Sequence, residues 1–245
     1  MKDAELYSVA GMSSSSPAMF ERRRRILTEA RKLIGKGHPD GFNVRELCEK
    51  AGVAPNTLYN AFGSKENVIT IAISQYFEEF HSKIEFQYKP ETFNGVLERE
   101  MTTTIRNLSI THYVRAISDL FFSPTATRAL RATLVRIAER PYLPWLQEIR
   151  IGRQLEKGVQ LERVVANLAT MLFALVQEWR VGELNDETFI TARLDAVLSY
   201  LAGVTKGEAR REVRAMFADL NGGQKRVREL VEHSNLLLSS AVRSR

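Results

Sequence analysis

Residues 43–65 read NVRELCEKAGVAPNTLYNAFGSK, and two asparagines within them could do specific chemistry. In a helix opened by Pro55, successive residues turn by about 100°. With Leu58 pointing inward, Ala54, Ala61 and Phe62 fall within about 60° of it, while Asn56 and Asn60 fall about 160–200° away. Thr57 and Tyr59 flank the outward side. Asparagine is a poor helix former, so two of them on an exposed face ask for a reason other than stability. A primary amide can bond bidentately to N6 and N7 of adenine in the major groove of duplex DNA. The competing reading is a solvated polar face, and the residue types alone leave both open.

Charge favours the first reading. From Met19 to Lys65 there are ten Lys/Arg against five Asp/Glu, whereas the whole chain of 245 residues has a net charge of only +6. Arg22, Arg23, Arg24 and Arg25 stand early in a helix, where cations oppose the positive end of the helix dipole. An anionic partner relieves that opposition, and phosphate is the obvious candidate. Four consecutive residues span about 300° of a helix, so at least two of them form a solvated face.

The elements that must hold these groups are helices. Glycine and proline are scarce, 14 and 7, and apolar residues recur at spacings of three and four, which reads as an all-α protein. Residues 1–18 form a flexible arm ending in the low-complexity run Ser13–Ser16. Ser16 can cap, and Pro17 open, a first helix to about Gly35 with the inner stripe Ile26, Leu27, Ala30, Leu33 and Ile34. Residues 37–41 are a turn. Asn43 caps a second helix whose inward side is Val44, Leu47, Cys48 and Ala51, and Gly52 ends it. The third helix follows from Pro55 to about Ala61, and Ser64 caps a fourth from Lys65 to about Tyr88. Further helices are expected over roughly 92–108, 112–122, 125–139, 143–157, 161–181, 186–202, 207–220 and 224–240. The second and third helices form a helix-turn-helix, which holds one exposed helix at a fixed angle.

With amphipathic helix 1 followed by VRELCEKAGVAPNTLYNAFGSKENVI, residues 19–80 resemble the N-terminal domain of the tetracycline-repressor (TetR) family of bacterial transcriptional regulators. Leu47, Ala51-Gly52-Val53, Thr57-Leu58-Tyr59, Phe62 and Lys65 carry the likeness. Asn43 stands in place of a usual threonine cap and Cys48 in place of a usual alanine, and both suit the same roles. The resemblance implies an N-terminal three-helix DNA-binding domain over 19–80 and a larger helical effector-binding and dimerisation domain over 81–245. It implies DNA contacts from Asn43, Val44, Arg45, Ala54, Pro55, Asn56, Thr57, Tyr59, Asn60 and Lys65, with Tyr59 and Lys65 on phosphates. It also implies a palindromic double-stranded operator, since two-fold dimers present two reading helices about 34–36 Å apart, or a multiple.

Val164 to Val176 is apolar almost all round, so that helix is buried on more than one side. Together with the stripe at Ile190, Leu194, Val197, Leu198 and Leu201, it suggests a four-helix interface between two copies, as in the resembled family. The expected interface residues are Leu168, Leu172, Leu175, Trp179, Leu194, Val197, Leu198 and Leu201; the alternative is that both are central core helices. Aromatics between the fourth and eighth helices suggest a pocket for an apolar effector. Its candidates are Phe93, Tyr113, Phe121, Trp145 and Phe173, with Arg106, His112 and Gln177 as polar partners; ordinary core packing competes for each. Residues 204–245 extend past the usual family end, with nine Lys/Arg against five Asp/Glu and an apolar block at Leu230, Val231 and Leu236–Leu238. Those leucines are expected to pack on the domain or reinforce a dimer.

Several classes are disfavoured. One cysteine excludes an intramolecular disulfide framework and any cysteine-rich metal site. The stretch Leu168–Val176 is short of the roughly 18 residues a bilayer span needs, and the N-terminus lacks a signal-peptide pattern, so a cytoplasmic, nucleoid-associated bacterial protein is expected. No GxSxG, P-loop, GxGxxG or HExxH motif is present, His38, His81, His112 and His233 are dispersed, and Cys48 faces inward. No enzyme, cofactor or metal is therefore expected. An architectural or effector-independent DNA-binding protein is the nearer rival, and a helical enzyme a distant one.

Overall fold

The computed structural model describes residues 17–36 and 42–243. The expected arm (save its last two residues, which are helical), the Ser16 cap and the turn at 37–41 lie outside the described residues. Twelve helices run among the described ones: α1 Pro17–Ile34, α2 Val44–Ala51, α3 Pro55–Phe62, α4 Lys65–His81, α5 Phe93–Ser109, α6 Thr111–Phe122, α7 Arg128–Glu139, α8 Leu143–Ile151, α9 Leu161–Val181, α10 Asp186–Val204, α11 Gly207–Leu220 and α12 Lys225–Arg243. Among the described residues no strand forms; a single bridge pairs Leu155 with Thr205. The fold is all-α.

Two compact units emerge. The first gathers the described residues up to Ser82 with His112–Leu134, and the second gathers Lys83–Thr111 with Val135 onward. In the first, the whole predicted α1 stripe, Ile26, Leu27, Ala30, Leu33 and Ile34, is buried against Leu47, Cys48, Ala51, Leu58, Phe62, Val68, Ala72 and Ile73. Each buried leucine, isoleucine, valine or phenylalanine among them contributes about 1.5–3 kcal/mol by leaving water. Bidentate bonds from Arg31 to Glu79 at 2.9 and 3.0 Å, with a third to Gln75 at 3.0 Å, tie α1 to α4.

The second unit buries Phe93, Val96, Leu97 and Met101 of α5 with Trp145, Leu146, Leu168, Leu172, Leu198, Leu201, Val213 and Met216. Inside that apolar core sits a polar knot. Glu100 takes the Arg193 guanidinium at 2.8 Å and the Tyr142 hydroxyl, and Thr104 accepts from Arg193 at 3.0 Å. Helix α9 is long and apolar enough by length and composition to cross a membrane. Nine of its residues, from Leu161 to Trp179, are instead buried, and five of them, Leu161, Val164, Val165, Leu168 and Leu172, join this core.

Three expectations are corrected. The fourth helix stops at His81 rather than near Tyr88, because the amides of Gln87 and Tyr88 bond to the Glu98 carboxylate at 2.9 and 3.0 Å. The helix expected over 143–157 ends at Ile151: Gly152 follows, Arg153 adopts a left-handed φ of 56°, and Gln154 N–H returns to the Ile149 carbonyl at 2.7 Å. In α12, Val227 and Ser234 are buried and Leu230 and Val231 pack on the core, but Leu236 is 66% exposed because it stands opposite the packed face.

Candidate nucleic-acid interface

The reading surface is assembled by caps. Oδ1 of Asn43 accepts the Arg45 N–H at 2.8 Å and starts α2, leaving the Nδ2 hydrogens as the groups Asn43 can offer to an acceptor. Gly52, at φ 61° and ψ 46°, ends it with an N–H turned back toward the Cys48 and Glu49 carbonyls. Val53 N–H also reaches Cys48 O at 3.0 Å, closing a left-handed cap that a β-carbon would strain. Pro55 opens α3 at a position where a missing N–H costs nothing.

In α3, Leu58 and Phe62 are buried, while Pro55, Asn56, Tyr59 and Asn60 are exposed, Tyr59 by 45%. Thr57 is half-buried on the flank. The outward amide face therefore exists as expected from the spacing. Ala54 is exposed rather than inward: as the N-cap it has extended geometry, so the helical angle does not apply to it. On α2, Arg45 is exposed and Val44 half-buried. Lys65, half-buried at the start of α4, holds its ammonium 5.6 Å from the centroid of the Phe42 ring. It stands at a helix N-terminus, where an anion is favoured.

The arginine run divides by role. Arg25 donates from Nε to the Ala51 carbonyl at 2.7 Å, satisfying an orphan acceptor at the end of α2. Arg24 pairs with Glu21 at 3.0 Å, Arg23 is buried, and Arg22 is exposed. Sequence reasoning grouped the four and missed that Arg25 supports the turn.

Residues 26–70 match the family described as bacterial regulatory proteins, tetR family. Over that segment the chain is similar to tetR-family regulators. The HTH-type transcriptional repressor KstR of Rhodococcus jostii strain RHA1 is 39% identical over 69 residues, 28% of this chain and 32% of that protein. KstR of Mycolicibacterium smegmatis is 37% identical over 79 residues, 31% of this chain and 39% of its own. The chain thus spans about a third of the length of the curated relatives it matches. A tetR-family regulator structure from Streptomyces coelicolor superposes with TM-score 0.56 at 19% identity, covering 81% of this chain and 89% of that one. A TetR regulator from Rhodococcus sp. RHA1 gives 0.54 at 17%, covering 76% and 99%. At those identities the two structures speak for a shared fold.

The residues expected to line an effector pocket divide between the units. His112, Tyr113 and Phe121 belong to the unit that holds the tetR-type domain. There His112 is exposed, and Tyr113, whose phenol burial pushes upward, lies 4.6 Å from the Tyr76 ring. Phe93, Arg106, Trp145, Phe173 and Gln177 belong to the other unit. Phe93 and Trp145 are buried with ring centroids 5.3 Å apart, Phe173 is buried, and Arg106 and Gln177 are half-buried. Of the residues expected at a dimer interface, Leu168, Leu172, Trp179, Leu194, Val197, Leu198 and Leu201 are buried within the chain itself, and Leu175 is half-buried. Seven of the eight therefore have little surface left to give a partner.

Proposed function

We propose that this chain is a sequence-specific DNA-binding transcriptional regulator, a repressor that leaves a palindromic operator when a small effector binds. One observation carries the reading: α3 buries Leu58 and Phe62 and turns Asn56 and Asn60 outward. The family match over residues 26–70 and the likeness to the KstR repressors support it.

In this reading, Asn56, Asn60 and Arg45 read base edges, with Ala54, Pro55 and Thr57 against the groove wall. Tyr59, Lys65, Asn43 and Val44 face the phosphate backbone. Phosphate contacts position the protein and base contacts specify the site. Two copies meet through the faces of α9 and α10 that the core leaves partly open, around Ala166, Met171, Ala174, Leu175, Ala196 and Tyr200. An effector acts only through its differential affinity for the DNA-competent and incompetent arrangements. The protein works in the bacterial cytoplasm on the nucleoid and performs no catalysis.

The test is selection of bound duplexes from a random pool at stated salt. A two-fold symmetric consensus supports both the reading and the dimer. Binding without sequence preference favours an architectural role, and no binding to any duplex refutes DNA recognition.

A further inference from the structure

We propose that Asn67 is a positioning residue for the recognition surface, holding the carboxyl end of α3 so that the outward amides are aimed at their bases. The proposal rests on the DNA-reading function above.

Helix α3 has eight residues. An isolated helix that short is unstable in water, so its neighbours set its direction. Its N-cap, Ala54, makes no side-chain bond. Its other end is held by two interactions. Gly63, at φ 77°, donates its N–H to the Tyr59 carbonyl at 2.7 Å. Asn67 donates from Nδ2 to the Phe62 carbonyl at 2.8 Å. That carbonyl is among the four at a helix end that lack an intrahelical donor. Because a carbonyl only accepts, the NH2 side of the amide must face it.

The other end of Asn67 is itself anchored. Its backbone N–H bonds Ser64 Oγ at 3.2 Å, the N-cap of the 17-residue helix α4. Helix α4 is in turn locked to α1 by Arg31. Asn67 thereby transfers the rigidity of α4 to the end of α3, two residues beyond Asn60. Bidentate base recognition tolerates little misalignment, whereas phosphate attraction tolerates much.

The test compares the full-length chain with Asn67→Leu and Asn67→Ala. Both are neutral and remove the donor, and Leu keeps the branched shape. An aspartate would add a negative charge and weaken every duplex. Each protein is titrated against a duplex selected by the wild type from a random pool and against a scrambled duplex, over a salt series. Circular dichroism supplies the folded fraction. Both variants should bind the selected duplex about three- to tenfold more weakly, the loss of one hydrogen bond. The scrambled duplex and the salt slope should be unchanged. Wild-type affinity for the selected duplex, or an equal loss on both duplexes, overturns the proposal. If the wild type itself selects no duplex, the regulator reading has failed and the proposal falls with it.

Discussion

The His233 imidazole lies 2.7 Å from Oε1 of Glu98, a carboxylate with no exposed surface. The same carboxylate accepts the amides of Gln87 and Tyr88. Beside it Arg99 donates to the Tyr88 carbonyl at 2.9 Å and lies 4.3 Å from the centroid of the Phe86 ring. Glu98 thus joins α5, α12 and the strap between α4 and α5. One turn along, the Thr102 hydroxyl donates to Ser234 at 3.1 Å.

Glu98→Ala should destabilise the second unit by about 1–3 kcal/mol, because it leaves the part-buried amides of Gln87 and Tyr88 without their acceptor and removes the anchor of His233. His233→Ala leaves the amides paired and should cost about 1 kcal/mol. Denaturant midpoints measure both, and hydrogen exchange at Gln87 and Tyr88 localises the effect. Unchanged exchange at those two amides in Glu98→Ala would refute the strap's dependence on this carboxylate.

Gly95→Ala should be as damaging by a different route. A β-carbon there would fall 2.0 Å from the Lys89 carbonyl oxygen, an overlap that only movement of the strap backbone relieves. The substitution should lower stability by more than about 2 kcal/mol, at the severe end of single substitutions. It should also raise exchange at Tyr88. A thermal midpoint equal to wild type would show that the strap yields freely.

Much of the first unit was legible in the sequence because its rules are local. The α1 stripe follows helical spacing, Gly52 follows from the left-handed cap, and the outward placement of Asn56 and Asn60 follows from rotation about Leu58. The end of the fourth helix was not legible. It depends on Glu98, ten and eleven residues beyond the amides it captures, and on Arg99 and Gly95, and no local period encodes that. The buried state of Leu168 and Leu198 illustrates a different limit. An apolar face says that it must be covered and leaves open whether its own chain or a second copy covers it.

The Glu100–Arg193–Tyr142 knot predicts a pH response. Burial and the neighbouring Glu100 carboxylate hold the Tyr142 phenol well above its ordinary range. The fold therefore prefers the protonated phenol. Its stabilising contribution is complete below the unfolded phenol's pKa of about 10 and is lost as pH rises toward the folded value. Tyr142→Phe should cost about 1–3 kcal/mol at neutral pH and reduce the stability loss above pH about 10. A smaller alkaline slope should persist, since burial also raises Tyr113. Arg193→Met should cost about 3–5 kcal/mol by leaving Glu100 buried without its cation. An alkaline stability curve identical in wild type and Tyr142→Phe would disprove the link.

Cys48 offers a probe of the helix-turn-helix. Burial in the α2 core pushes its thiol upward, and the reactive form is the thiolate. A thiol reagent at pH 8 should label the native chain far more slowly than the unfolded one. Arg25→Met, which removes the donor to the Ala51 carbonyl, should accelerate labelling by loosening the end of α2. Rapid labelling of the wild type without unfolding would contradict the packing around Cys48.

On DNA, Asn60 and Lys65 should fail in different ways. Asn60→Ala removes one exposed amide and no packing, so it should lose about 1–3 kcal/mol at a single base position and relax preference there. Lys65→Ala should weaken all duplexes alike and shrink the salt slope by about one. Its cation–π contact with Phe42 contributes only about 0.5–1 kcal/mol to stability, so the fold should survive. Titrations of both variants against operator variants and a scrambled duplex, at several salt concentrations, separate the two patterns. A uniform loss in Asn60→Ala, with the salt slope unchanged because the amide carries no charge, would move that residue from base reading to backbone contact and leave Asn56 as the remaining outward amide.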